Sequence, residues 1–243
     1  MNEIEKIAKQ IIAKGGGILA ADESTGTMTK RLSSVNVEST AENRLKFRET
    51  LFSSEGMKNY IGGVILYDET IKQKTSSGKT IPELIESSGS IPGIKVDTGA
   101  KKLAGSPEEK ITEGLDGLRE RLAEYYKLGA RFTKWRAVYN ISDRFPSELS
   151  IKSNAHALAR YAALAQEAKM VPIIEPEVLM DGHHDINKCY EITSKVLKEC
   201  YKELALHKVN LKGTILKPNM ILPGDKSKNR SNSLEIAKMT IKC

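Results

Sequence analysis

The 243-residue chain has 38 lysines and arginines against 31 acidic residues, a formal net charge of +7, and 40% of its residues are hydrophobic. The basic residues are spread along the chain without a zinc-finger or RNA-binding signature, so a phosphorylated metabolite explains the charge as well as a nucleic acid does, and we expect no nucleic-acid partner. With no secretion signal and no bilayer-length apolar run, the chain is expected to be one cytoplasmic domain, residues 1–243, without membrane contact.

Runs of β-like residues alternate with amphipathic helical stretches along the whole chain. The predicted strands cover residues 17–22, 61–68, 91–97, 132–138, 170–178 and 212–219. Strand and helix alternate without hairpin turns, which predicts parallel strands joined by crossovers. The fold class is therefore α/β, of the parallel (β/α)8 barrel type, with about six of the eight βα units present.

Apolar residues recur at helical spacing after the third, fourth and fifth predicted strands. The three sets are Leu115, Leu118, Leu122 and Tyr126; Ala155, Leu158, Ala162 and Ala165; and Cys189, Val196, Cys200 and Leu204. A last helical stretch begins near Ser233. Because Cys189 and Cys200 share one helix, about 16 Å separates their Cα atoms, beyond the ~7 Å limit for a disulfide, so we expect core thiols in a reducing compartment.

Several predicted strands end in polar residues two positions apart, which share a face of the strand. The pairs are Lys95 with Asp97, Lys134 with Arg136, Glu175 with Glu177, and Lys217 with Asn219, and the first strand ends in Asp22. One such pair is typical of a solvated strand end. Five polar strand ends together indicate a site, because parallel strands bring their C-terminal ends to one mouth of a barrel.

Lys217 ends a short apolar strand and is followed by proline. A lysine that is partly desolvated and close to other cations, such as Lys134, has a lowered pKa, and its amine can attack a carbonyl. The alternative interpretation is a lysine that pairs with Glu175 and does no chemistry.

Seven motifs appear in order with the spacing of one family: ILAADESTG, GGVIL, GIKVD, GLDGL, KWR, VPIIEPE and LKPNM. On these motifs the chain resembles class I fructose-bisphosphate aldolase over essentially its whole length. The resemblance implies a (β/α)8 barrel that reversibly cleaves fructose 1,6-bisphosphate into dihydroxyacetone phosphate and glyceraldehyde 3-phosphate in glycolysis. It also implies a Schiff base without metal or other cofactor, a homotetramer in the complete family, and binding to cytoskeletal partners.

The resemblance also implies roles for individual residues. Lys217 in LKPNM matches the imine-forming lysine, and Glu175 in EPE matches the residue that shuttles protons. Asp22 matches the base that takes the substrate hydroxyl proton, Lys134 in KWR matches a substrate-holding lysine, and Glu177 matches a supporting position. The positions expected at the phosphate are Ser24, Thr27 and Lys95, with Lys30, Arg31 and Arg136 as further cations.

The sequence departs from the family pattern at its C-terminus. It stops before strands seven and eight of the family, which bring the Ser-Gly-Gly turn and an arginine for the second phosphate, and before the tail. We therefore expect a C-terminally incomplete aldolase that alone is weakly active, since substrate positioning is a large part of catalysis. The alternative is an inactive fragment or a non-catalytic binding protein that keeps the fold.

Other interpretations are weaker. The lysine alone would allow a transaldolase or a deoxyribose-phosphate aldolase, but the AADES, KWR and EPE motifs argue against both. His183 and His184 are adjacent and lack a third ligand at metal spacing, so we expect no metal there. Glycines 15–17 precede a strand and are not a dinucleotide fingerprint. Trp135 alternates with Lys134 and Arg136 and is expected to pack against the outer helices.

Overall fold

The structure is a computed structural model that describes residues 2–243. Its eight strands are β1 (Gly17–Ala21), β2 (Ile61–Leu66), β3 (Ile91–Lys95), β4 (Gly99–Leu103), β5 (Ser106–Glu113), β6 (Phe132–Tyr139), β7 (Val171–Val178) and β8 (Ile215–Leu216). Six of them form one parallel sheet in the order β1-β2-β3-β6-β7-β8, curled into half a barrel, and β4 and β5 form a separate hairpin.

Ten α-helices surround the strands in the described part of the chain. They are α1 (Glu3–Ile11), α2 (Thr25–Ser33), α3 (Ala41–Phe52), α4 (Met57–Tyr60), α5 (Asp68–Ile71), α6 (Ile81–Ser87), α7 (Leu118–Lys127), α8 (Glu148–Glu167), α9 (Ile186–Leu206) and α10 (Ser233–Lys242). Short polar side chains set where several of them begin. Ser147 caps α8 by accepting from the Ser150 N–H, and Asp185 caps α9 by accepting from the Lys188 N–H.

The outer face of the sheet packs against the long helices. Trp135 is fully buried there and stacks on Tyr161 of α8, with ring centroids 5.4 Å apart. This confirms the expected outward direction of Trp135. The predicted apolar faces of α8 and α9 are buried as well, whereas in α7 the buried tyrosine is Tyr125 and Tyr126 is only partly buried.

The inner face of the sheet is divided into an apolar lower part and a polar upper part. In the apolar part, α1 covers a small core that includes Ile11, Ile65, Phe132 and Ile173. Alternate residues of β6 and β7 point inward, so the polar positions that follow Phe132 and Ile173 on the same faces lie nearer the carboxyl ends. The fold thus places its charged inward residues at one end of the sheet.

The structure differs from the predicted strands in two places. The hairpin of β4 and β5 was not expected, because its sequence is mostly charged and exposed and lacks an apolar alternation. The sixth predicted strand, 212–219, is shorter than expected: Leu211–Gly213 is a 3₁₀ turn and the strand is only Ile215–Leu216. Within residues 2–243, β1 pairs only with β2 and β8 only with β7.

Among residues 2–243, no helix has the length and apolarity needed to cross a membrane.

Candidate active site

The carboxyl ends of the parallel strands surround a cavity of about 620 Å³. Ten of the eleven residues predicted for the site line it: Asp22, Ser24, Thr27, Arg31, Lys95, Lys134, Arg136, Glu175, Glu177 and Lys217. The eleventh, Lys30, is exposed on α2 and lies outside the lining. The structure therefore brings together side chains that are up to 195 positions apart in the chain, from Asp22 to Lys217.

Glu175 lies at the centre of this group. Its side chain is 2% exposed, and Oε1 accepts a hydrogen bond from Lys217 Nζ while Oε2 lies 3.3 Å from Lys134 Nζ. Oε2 has no partner with hydrogen-bond geometry in the described structure, so it keeps acceptor capacity. A buried carboxylate between two ammonium groups can pass a proton to or from whichever group comes close to it.

Lys134 connects Glu175 to Asp22. Its Nζ donates to Asp22 Oδ2 at 2.9 Å, and both partners are buried. Burial alone would lower the pKa of Lys134, but the carboxylates of Asp22 and Glu175 outweigh it, and the pKa is raised above its ordinary value. Lys134 is therefore a stable cation that holds two carboxylates in place.

Lys217 directly follows β8. Its backbone N–H donates to the Ile174 carbonyl at 2.9 Å, which anchors the chain, while its side chain is 50% exposed and reaches into the cavity. A contact with Glu175 is expected both if Lys217 only forms an ion pair and if its amine attacks a carbonyl. The contact places a proton carrier directly beside the amine.

Hydroxyl groups and cations lie at the rim of the cavity. Ser24 caps α2 by accepting from the Thr27 N–H at 3.4 Å, and the two hydroxyl oxygens are 3.2 Å apart. Arg31, in the same helix, pairs with Glu23. Across the mouth, Lys95 Nζ is 2.6 Å from Asp97 Oδ1. This is a mixture of hydroxyls, a helix N-terminus and cations that is suited to a phosphate group.

Arg136 and Glu177 form a second ion pair at the mouth. Arg136 Nε donates to Glu177 Oε2 at 2.5 Å and lies 3.9 Å from Glu175 Oε1. The register of the sheet explains this, since Arg136 is the Cα partner of Glu175 across β6 and β7. Arg136 can therefore stabilise negative charge on either glutamate.

Some lining residues were not predicted for the site. Glu23 and Tyr67 line the cavity, and Asp97, noted at its strand end but given no role, also does. The signal available for Glu23 was its position beside Asp22, and for Tyr67 its position at the end of β2. Neither position indicates by itself which way the side chain points.

The predicted shared face of Lys217 and Asn219 was wrong. Asn219 Oδ1 accepts from the Val178 N–H at 3.0 Å, and its Nδ2 donates to Thr193 Oγ1 of α9 at 3.2 Å. The strand ends at Leu216 and Pro218 cannot continue the ladder, so the alternation of side chains does not extend to residue 219.

His183 and His184 are not part of a group of three possible metal ligands in the described part of the chain. His183 Nδ1 lies 3.1 Å from the Lys226 carbonyl, and both ring nitrogens of His184 are buried without a hydrogen-bond partner among residues 2–243. Burial lowers the pKa of His184 despite the carboxylates of Asp185 and Asp225. His184 is best described as a neutral side chain packed in a loop.

Comparisons with known proteins agree with the geometry. Residues 3–243 match the model of the family described as fructose-bisphosphate aldolase class-I. A protein from Xylella fastidiosa described as a probable fructose-bisphosphate aldolase class 1 is 51% identical over 243 residues, which is 100% of this chain and 73% of that protein. A cytosolic fructose-bisphosphate aldolase of Arabidopsis thaliana is 52% identical over 235 residues, 97% of this chain and 60% of the relative.

A solved structure is similar over almost the whole chain. It is fructose-bisphosphate aldolase from Plasmodium falciparum, in complex with TRAP and a small-molecule inhibitor, with a TM-score of 0.97 and 43% identity. The similarity covers 99% of this chain and 70% of that one. From the family match, the relatives and the arrangement of lysines and carboxylates at the carboxyl ends of the strands, we conclude that this chain belongs to the class I fructose-bisphosphate aldolase family.

Proposed function

We propose that this chain performs its family's reaction, the reversible cleavage of fructose 1,6-bisphosphate into dihydroxyacetone phosphate and glyceraldehyde 3-phosphate, through an imine on Lys217. The observation that carries the proposal is the contact between Lys217 Nζ and the buried Glu175 carboxylate, inside a cavity lined by cations. An amine in contact with a proton carrier can form and break carbinolamines without a metal.

The first steps assign roles to Lys217 and Glu175. Lys217 passes a proton to Glu175, and its neutral amine attacks the substrate ketone. The carbonyl oxygen takes that proton from Glu175 to become a hydroxyl, and the nitrogen returns a second proton to Glu175. Loss of that hydroxyl as water needs a second proton, and Glu175 is the nearest buried acid. The product is a protonated imine, whose carbon can accept an electron pair.

Asp22 is the proposed base in carbon-carbon cleavage. Its carboxylate takes the proton of the hydroxyl on the carbon beyond the breaking bond, and that oxygen becomes the aldehyde oxygen. The electron pair of the broken bond moves to the imine and forms an enamine. Lys134, which lies 2.9 Å from Asp22 and 3.3 Å from Glu175, holds both carboxylates against their mutual repulsion.

Substrate binding is assigned to the rim. The hydroxyls of Ser24 and Thr27, the N-terminus of α2, and the cations of Arg31 and Lys95 are proposed to hold one phosphate. Arg136 and Glu177 are proposed to hold the sugar hydroxyls beside Glu175. Lys30 lies outside the cavity lining, so we assign it only a long-range attraction for the anion.

A non-catalytic binding role is not favoured. Burying a carboxylate beside two ammonium groups is costly to the fold, and hydrophobic residues of the same size would often be neutral or stabilising. A protein that only kept the fold would have no need for the contacts among Lys217, Glu175, Lys134 and Asp22. Those contacts are what a carbonyl chemistry requires.

Assembly and location are part of the same proposal. We propose that the chain forms a homotetramer, that it presents a surface to protein partners of the cytoskeleton, and that it works in the cytoplasm. The Arabidopsis relative is described as cytosolic, and the Plasmodium relative was solved with TRAP bound. Light scattering on the purified chain tests the assembly, and a monomeric mass would contradict it.

The experiment for the imine is borohydride trapping with dihydroxyacetone phosphate, read by intact mass and peptide mapping. We expect one adduct on Lys217 in the wild type and in the control Lys212→Arg, which changes an exposed lysine in the nearby 3₁₀ turn. The adduct should be absent in Lys217→Arg. Glu175→Gln should slow its formation on the order of 10²- to 10⁴-fold, the usual contribution of a general acid.

An adduct on another lysine, or none in a wild-type protein with a folded circular dichroism spectrum, would contradict the assignment of Lys217. The same measurement tests the expectation of weak activity. The chain spans 73% of the length of the Xylella relative. A trapping rate equal to that of the relative would contradict the expectation.

A further inference from the structure

A group of three possible metal ligands lies on the outer helices, and none of its members lines the active-site cavity. His156 belongs to α8, Glu203 lies in the last turn of α9, and His207 is the residue that caps the C-terminal end of α9. One ligand atom of each residue lies within 4.8 Å of a ligand atom of the other two. We call these three residues the α8–α9 cluster.

The distances in the α8–α9 cluster are close to those of a zinc site. His156 Nδ1 is 3.0 Å from Glu203 Oε2, and His207 Nδ1 is 3.7 Å from the same oxygen. With metal–ligand bonds of about 2.0–2.1 Å, two ligand atoms of a tetrahedral zinc site are about 3.3 Å apart. Small rotations of the side chains are enough to reach this geometry.

A backbone group orients one of the imidazoles. His207 Nδ1 lies 2.9 Å from the Glu203 carbonyl oxygen, which can accept its proton. The contact holds the His207 ring with Nδ1 towards Glu203, and a metal ion bound to Nδ1 would replace this hydrogen bond.

The charge balance around Glu203 also favours a cation. Its side chain is only 15% exposed, and within residues 2–243 its ion-pair partners are His156 and His207, without a lysine or arginine. A largely desolvated carboxylate is costly to the fold without a full positive charge beside it. A divalent cation would supply the charge and use the lone pairs of both rings.

We propose that the α8–α9 cluster binds one divalent transition-metal ion of the zinc class, with His156, Glu203 and His207 as ligands and water as the fourth. Two imidazoles and one carboxylate suit Zn²⁺ better than Mg²⁺ or Ca²⁺, which prefer oxygen ligands alone. His156 is 53% exposed, so water can reach the fourth position. Arg160 lines a surface cavity together with His207, and its charge opposes the metal.

Such an ion would tie α8 to α9. These helices pack against β6 and β7, the strands that carry Lys134 and Glu175. The ion is therefore assigned a stabilising role for the scaffold beneath the active site. It takes no part in the proposed imine chemistry, so the two proposals can fail separately.

The test uses the full chain freed of metal and then titrated with Zn²⁺ against a chromophoric chelator, at a pH above the ordinary imidazole pKa. We expect one equivalent to bind the wild type and the matched control His183→Ala, which removes an exposed histidine outside the α8–α9 cluster. His156→Ala and Glu203→Gln should each bind at least about 10-fold more weakly. Co²⁺ in the same site should show the strong visible bands of four-coordination, lost in His156→Ala.

Equal Zn²⁺ affinity in the wild type, His156→Ala and Glu203→Gln would overturn the proposal and indicate adventitious binding. Loss of binding in His183→Ala alone would place the site elsewhere and would also overturn it. Because His156 is half exposed, His156→Ala is expected to fold, and the circular dichroism spectrum of each variant verifies this. Borohydride trapping at Lys217 is expected to be the same in all of these variants.

Discussion

Arg48 of α3 has a fully buried guanidinium that links two parts of the structure near the active site. Its Nη2 donates to the Glu23 carbonyl at 2.6 Å, and its Nη1 donates to Thr70 Oγ1 at 2.7 Å. Burial lowers the pKa of Arg48, and the nearby carboxylates, first that of Glu23, oppose this effect. Because Glu23 follows Asp22 directly, Arg48 fixes the backbone that presents the proposed base to the cavity.

Replacing Arg48 with methionine should therefore destabilise the protein. The Glu23 carbonyl and the Thr70 hydroxyl would lose their donors while remaining close to the core, which costs about 1–3 kcal/mol of unfolding free energy. Urea denaturation measures the change. The control is Lys46→Met in the same helix, which changes an exposed side chain and should stay within about 0.5 kcal/mol of the wild type. Equal stability of the two variants would show that Arg48 does not hold this segment.

At the scale of elements, the contact between α1 and the sheet depends on a glycine, which has no side chain. A Cβ atom at Gly62 of β2 would lie 1.8 Å from the Ile11 carbonyl oxygen and 2.7 Å from its carbon. The end of α1 can therefore lie directly on β2. At Gly93 of β3 a Cβ atom would lie 2.4 Å from the Phe132 ring, so the lower core also depends on glycine. These contacts close the amino end of the sheet and leave the carboxyl end for the site.

Gly62→Ala should push α1 away from the sheet, because the obstructing atoms are backbone and cannot rotate aside. We expect a loss of unfolding free energy of about 3 kcal/mol, the upper part of the usual range for overpacking. The matched control is Gly26→Ala in α2, where a Cβ atom meets nothing within 4 Å. That change should stabilise the protein by about 0.5–1 kcal/mol through helix propensity. Thermal and urea unfolding of both variants measure the difference, and equal effects would contradict the α1 contact.

At the scale of the whole molecule, the core holds several weak acids in their neutral form. Burial raises the pKa of the Cys200 thiol to about 12. Burial, followed by the hydrogen bond to Asp68, raises the pKa of Tyr125 to about 12. Burial also raises the pKa values of Tyr139 and Tyr161 well above the ordinary value. The folded chain therefore keeps protons in alkaline solution that the unfolded chain releases.

The free energy of unfolding should consequently fall as the pH rises above the ordinary thiol value. For Cys200 the folded pKa lies above the unfolded one, so its contribution is complete below pH 9.0 and is lost progressively towards about 12. Each group of this kind adds a slope of up to ~1.4 kcal/mol per pH unit within its window. Urea denaturation between pH 7 and 11 measures the slope.

Cys200→Ala isolates the contribution of one group. Its unfolding free energy at pH 7 reports the cost of the smaller side chain, which does not depend on pH. Its slope above pH 9 should then be smaller than that of the wild type by up to ~1.4 kcal/mol per unit. Identical slopes would show that the Cys200 thiol loses its proton as readily in the folded protein as in the unfolded chain.

Local sequence patterns predicted the elements that pack on a core. The β-like runs before α8 and α9 and the spacing of Ala155, Leu158, Val196 and Cys200 identified β6, β7 and both helices, because burial of one face imposes a period on the residues. The hairpin of β4 and β5 was missed for the converse reason: most of its side chains are exposed, so no period marks it.

The sequence by itself determined the family, the strand and helix alternation, and the polar residues at the carboxyl ends of the strands, since each of these is recorded in neighbouring residues. Only the tertiary structure decided which distant groups meet. It placed Lys134 between Asp22 and Glu175, buried Arg48 beside Glu23, left Lys30 outside the cavity, and joined His156 to Glu203. These contacts depend on strand register and helix packing across the whole sheet, which no local spacing encodes.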